Sequence, residues 1–250
     1  MRRWIVALLT IVIYLLAQFL PAIFQSLGFI SASQSMSALK ESIYIQVAAF
    51  VVAAIIIIFL HQRVKNPMAY ELRAKERKRY ILPWILAGLG IVFIGQIIAN
   101  LISIWLFDVN AASENTLLLT RIARQMPIFI VLIAVVGPIL EEFVFRKVIF
   151  GEIYHAVRAK PIVKYLIAGV VSSSIFAIAH VDFSHFLTYF IMGMIFAFFY
   201  IYTNRLSIAI GIHMAQNALV TFVQLMIPEE MLQEMIEKSQ FIFHLFIYLN

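Results

Sequence analysis

Long apolar runs alternate with short polar breaks along the whole chain, at roughly residues 4–27, 43–60, 81–107, 126–157, 162–181, 183–202 and 206–227, with a shorter run at 241–249. A helix that crosses a bilayer needs roughly 20 apolar residues, so the spacing predicts an all-α, polytopic transmembrane bundle of seven or eight helices. The first run follows Arg2-Arg3 and extends from Trp4 to Leu20. It is long for a secretory leader and lacks a small-x-small cleavage site, which makes it the first membrane helix. One integral membrane domain over 1–250 is expected, with helices 1–3 in 1–125, a core in 126–227 and a C-terminal helix or tail in 228–250.

Composition agrees with the pattern. Of 250 residues, 63% are hydrophobic and 13% charged, and the mean hydropathy is +0.96, far above that of a soluble domain. The net charge of +6 is spread between apolar runs instead of forming one basic face, so no nucleic-acid partner is expected. Membrane lipid is the expected surrounding. With the N-terminus in the cytoplasm, alternation places fifteen Lys and Arg inside and four (Lys40, Arg121, Arg124 and Lys238) outside. The positive-inside rule therefore favours this orientation. Seven of the inner charges lie in the loop 61–80, read as an orientation signal; the loop 108–124 is polar enough to be exposed and carries no chemistry. Cysteine is absent, which excludes a disulfide framework, a thiolate-held metal and a cysteine nucleophile.

Three polar islands interrupt the apolar runs. An ionisable side chain in a membrane helix costs at least about 2.5 kcal/mol to insert, so each needs a partner or a function. In "PILEEFVFR", Glu142 and Arg146 are four residues apart and share a helix face, where they can pair. Glu141 is turned about 100° away and no local cation claims it. Gly137-Pro138 just ahead predicts a bend that opens space beside it. His180 ends the fifth run in "FAIAH", one turn after Phe176. His213 and Asn217 in "HMAQN" share a face of the seventh helix. Residue counting puts Glu141 and His180 at one depth and His213 nearer the inner surface, unless helices tilt. Carboxylate, imidazoles and carboxamide in one low-dielectric pocket suit water activation and oxyanion stabilisation.

The three motifs, E-E-x-x-x-R, F-x-x-x-H and H-x-x-x-N in that order over roughly 126–227, resemble those of the CPBP family of intramembrane endopeptidases. That family includes CAAX prenyl proteases of the Rce type and bacterial Abi proteins linked to bacteriocin processing and immunity. The resemblance implies glutamate-dependent hydrolysis of a hydrophobic or membrane-anchored peptide or protein, without a cofactor, in a site among helices 4, 5 and 7. It implies that Glu141 is the base drawing a proton from water, that His180 helps hold that water, and that His213 and Asn217 donate to the oxyanion. Glu142 and Arg146 would support them from behind. For such a chain in a bacterium, a plasma-membrane location and a leader, signal-peptide or bacteriocin substrate are expected. Competing readings keep Glu141, His180 and His213 as ligands of a divalent metal, or make the chain a non-proteolytic regulator or immunity protein. A transporter is disfavoured by the absence of a repeat. No H-E-x-x-H or G-x-S-G motif is present, which argues against zincin-like and rhomboid-like enzymes.

Overall fold

The computed structural model describes residues 1–31, 35–107, 109, 113–228, 230, 231 and 234; the run at 241–249 lies outside the described residues. The architecture is entirely helical among them. Among the described residues seven helices are long and apolar enough to cross a membrane. They are α1 (Arg3–Ser26), α2 (Met36–Gln62), α3 (Ile81–Phe107), α5 (Ile128–Ala156), α6 (Pro161–Ala179), α7 (Phe186–Thr203) and α8 (Leu206–Met226). A shorter helix, α4 (Glu114–Gln125), occupies what the sequence suggests is an exposed loop. Its Leu117, Thr120 and Ala123 are buried, a three-residue spacing on one face, and its entry is capped where Ser113 Oγ accepts the Thr116 N–H at 3.1 Å. Low hydropathy concealed this element, although the serine cap and the period were there to be read.

The outer faces of the helices are apolar where they meet lipid. Leu82, Ile94 and Trp105 of α3 are all exposed, as expected when the surrounding solvent is hydrocarbon. Helix ends follow local chemistry. Pro161 occupies the first turn of α6, where its missing N–H costs nothing. Asn204 adopts the left-handed conformation, φ 53°, between α7 and α8, and its Nδ2 donates to Arg73 O at 2.8 Å.

The ends that alternation places together are together. Met1 N donates to Arg63 O at 2.7 Å, Arg3 pairs with Glu152 at 2.8 Å, and Glu76 N donates to Thr203 O at 2.9 Å. The loop 61–80 is more than an orientation signal. Met68 and Tyr70 are buried, Tyr70 and Tyr200 hydroxyls meet at 3.2 Å, and Glu71 pairs with Lys147. The loop is a strap across the basic end of the bundle. Arg146, counted by residue spacing among the inner charges, is 1% exposed and lies within the bundle.

Helix α5 is the most enclosed of the seven. It is not a regular α-helix: Leu132–Val136 and Glu142–Phe150 are π-helical. The Gly137 N–H reaches back five residues to Leu132 O, and a Cβ on Gly137 would lie 2.9 Å from that same oxygen. Pro138 follows directly after the widened segment, in the short α-helical turn Gly137–Glu141, so the anticipated proline bend comes with a π-turn just ahead of it. Close packing also decides α6 against α7, where a Cβ at Gly193 would come 2.7 Å from Ser173 Oγ and 3.1 Å from its Cα. Gly193→Ala is therefore expected to cost about 1–3 kcal/mol through overpacking; a lowered thermal midpoint in detergent checks it, and an unchanged midpoint would show that the helices can separate freely there.

Candidate active site

The centre of the bundle holds an ion pair. Glu142 and Arg146 are 0% and 1% exposed, with Glu142 Oε2 3.3 Å from Arg146 Nε. The contact is an ion pair without hydrogen-bond geometry, and none of the three guanidinium nitrogens finds a hydrogen-bond acceptor among the described residues. Instead Arg146 Cζ lies 4.2 Å from the Phe176 ring centre and 5.0 Å from that of Phe196. Aromatic faces thus take the place of water around the cation.

Glu142 also reaches across to α8, its Oε1 3.0 Å from His213 Nδ1. A carboxylate only accepts, so Nδ1 carries the hydrogen and the ring orientation is fixed. The ring stacks on Phe196 at 4.7 Å. Its other nitrogen, Nε2, points at Glu141, 3.7 Å from Oε2. The depth difference suggested by residue counting is absent: His213, near the start of α8, meets both glutamates of α5. Glu142 therefore does two things, pairing with Arg146 as its spacing predicts and orienting His213, which spacing could not reveal.

His180 and Asn217 project into the same cavity as Glu141 and His213, a space of about 900 Å³. His180 Nδ1 is 2.7 Å from Phe176 O; the carbonyl can only accept, leaving Nε2 as the acceptor. The ring stacks on Tyr189 at 4.1 Å. Asn217 Nδ2 donates to Ile133 O at 2.9 Å, within the π-turn of α5, and keeps a second amide hydrogen. Among the described residues no three His, Cys, Asp or Glu side chains are arranged to hold a metal ion.

A second polar cluster at the end of the cavity away from the strap is not anticipated by the motifs. Asp182 Oδ2 accepts from Ser113 Oγ at 2.6 Å, and its Oδ1 lies 3.2 Å from His185 Nδ1. The Tyr189 hydroxyl joins through Ser113 at 3.2 Å and Asn115 at 3.3 Å. Between His180 and Asp182, Val181 is held at φ 54°, a strained conformation for a β-branched residue. This cluster fixes the segment that carries His180. In sequence only Asp182, a rare acid beside an apolar run, signals it.

Among the described residues, seven helices long and apolar enough to span a membrane surround a cavity lined by carboxylate, imidazole and amide groups, which defines a polytopic membrane protein with a polar interior site. Comparison with known proteins narrows the class. Residues 123–219, which contain all three motifs, match the model for the type II CAAX prenyl endopeptidase Rce1-like family. The membrane-embedded CAAX protease MroQ of Staphylococcus aureus (strain USA300) is 45% identical over 247 residues, covering 98% of this chain and 99% of the relative. Bacillus subtilis (strain 168) "Putative membrane peptidase YdiL" is 34% identical over 174 residues, covering 70% and 69%. The similarity thus extends well upstream of the motif region. No solved structure matches. The chain belongs to the Rce1-like CAAX protease family and is an integral, multi-pass membrane peptidase.

Asp182 supplies a test of the second cluster. Burial raises its carboxyl, but hydrogen bonds from His185 and Ser113 outweigh that and hold it below its ordinary value. A depressed folded-state value contributes stability above the unfolded value of about 4, and this is lost as pH falls through the folded one. Thermal stability is expected to fall over that acid window with a shallower slope in Asp182→Asn than in wild type; identical slopes would remove Asp182 from the linkage.

Proposed function

We propose that this chain hydrolyses peptide bonds in a hydrophobic or membrane-associated peptide by glutamate activation of water. The observation that carries the reading is the facing pair, Glu141 Oε2 and His213 Nε2 at 3.7 Å, both on the cavity. The separation exceeds a direct hydrogen bond, which leaves each group free to engage its own reacting oxygen, the water at Glu141 and the carbonyl oxygen at His213.

Both ring nitrogens of His213 serve as donors in the reaction, Nδ1 toward Glu142 and Nε2 toward the cavity. Glu141 takes a proton from water while His180 Nε2 accepts the other. The water oxygen attacks the carbonyl carbon. His213 Nε2–H and the free amide hydrogen of Asn217 donate to the oxyanion. As the C–N bond breaks, Glu141 passes its proton to the departing amine. Glu142, backed by Arg146, keeps His213 aimed and takes no part in proton transfer. No cofactor enters these steps.

The substrate class follows from the enclosure, which admits a peptide within or at the membrane. The N-terminus and strap lie on the cytoplasmic side by their excess of Lys and Arg, in a bacterial plasma membrane. A leader, signal-peptide or bacteriocin precursor fits such a site.

Purified Glu141→Gln is expected to retain its thermal midpoint and lose at least about 100-fold in cleavage of an apolar fluorogenic peptide library. Wild-type activity is expected to survive exhaustive chelation. Cleavage unchanged by Glu141→Gln would overturn the assignment of the base, and activity lost on chelation and restored by a divalent ion would overturn the metal-free mechanism.

A further inference from the structure

The face of α8 that carries His213 continues along the cavity through Gln216, Asn217, Val220, Thr221 and Gln224. Several other amides around this space are already committed. Asn100 Oδ1 accepts from Thr188 at 2.8 Å, Asn115 Nδ2 donates to Tyr189, and Gln46 Nε2 donates to Ala17 O at 3.0 Å. Gln216 and Gln224 differ. Gln216 is only 4% exposed, and the buried Oε1 atoms of both glutamines have no hydrogen-bond partner among the described residues. A buried carbonyl without a donor is costly, and both side chains line the cavity, so turning either amide toward it lets an N–H brought from outside satisfy the oxygen.

We infer that the substrate lies along α8 as an extended chain, donating main-chain N–H groups to Gln216 Oε1 and, farther from His213, to Gln224 Oε1. This rests on the hydrolytic reading of the same site and adds the conformation of its substrate. A lipid tail has no N–H to give, and a helical peptide uses its own internally. An extended peptide offers donors in series. Gln216 is three residues from His213, about 4.5 Å along the helix axis, which places its partner beside the scissile bond. Gln216 and Gln224 are separated by eight residues, about 12 Å. An extended chain rises about 3.3 Å per residue, so the two anchored N–H groups are about four residues apart. Apolar lining residues such as Phe19, Phe50, Leu119 and Met192 receive the substrate's side chains, giving a preference for hydrophobic sequence without demanding one particular residue.

The test is an N-methyl scan. The Glu141→Gln chain in lipid nanodiscs selects the tightest binder from a library of apolar twelve-residue peptides, and that peptide is remade with each backbone nitrogen methylated in turn. Two positions about four residues apart are expected to weaken binding about tenfold each, the loss of one hydrogen bond to a buried acceptor. Adding Gln216→Met should abolish the penalty at the position nearer the scissile bond and leave the other; Gln224→Met should do the converse. Thermal midpoints are taken in parallel, and the scan on the chain with both glutamines intact needs no change at either. A flat scan, a penalty indifferent to both substitutions, or no library member bound by the folded chain would overturn the inference. The two readings separate cleanly: the paired pattern without wild-type hydrolysis sinks the peptidase mechanism alone, and hydrolysis with a flat scan sinks the extended-chain groove alone.

Discussion

The polar centre of this bundle is arranged around a carboxylate that cannot be left alone. Glu142 has no access to water, and an uncompensated charge at such a position would cost several kcal/mol. Arg146 one turn along, His213 from across the bundle and the rings of Phe176 and Phe196 together make it tolerable. A hydrophobic pair would fill the same volume at less expense in desolvation. What the charged pair adds is direction: through Glu142 the imidazole of His213 is fixed with Nε2 toward Glu141.

That constraint propagates outward. For α5 to present Glu141 and Glu142 to α8, its backbone widens into π-turns on both sides of Gly137–Glu141. The freed carbonyl of Ile133 is used by Asn217, which ties α8 to α5 at the height of the site. At the basic end, Glu71 on the strap holds Lys147 immediately after Arg146. At the other end, Ser113, Asp182 and His185 pin the segment that follows His180. The site is thus held from both ends of the bundle by residues outside its three motifs.

Sequence made the spans legible because hydropathy over a whole helix is a sum that single residues barely disturb, and the alternation of sides follows from where Lys and Arg sit. Glu142 with Arg146 was equally readable, since four residues on a helix decide who can meet. The orientation of His213 by Glu142 was not readable, for it depends on the relative depth of two helices far apart in the chain. Helix α4 escaped because it is short and its buried face is interrupted by the polar Thr120. The buried part of the 61–80 loop escaped for the opposite reason: its seven cations advertise solvent, while Met68 and Tyr70 between them do the packing. Likewise the π-turns leave only Gly137-Pro138 as a trace, and that dipeptide is compatible with a simple kink.

On this reading the buried Glu142–Arg146 pair is kept for the position of His213 and contributes little net stability. A double-mutant cycle over Glu142→Gln and Arg146→Met, read by thermal midpoint and by peptide cleavage in the same preparations, tests this most directly. Each single substitution is expected to destabilise by about 3–5 kcal/mol, and the double variant to recover most of that loss while cleavage stays depressed. A double variant that is stable and cleaves like wild type would contradict the claim, because His213 would then hold its place without the pair.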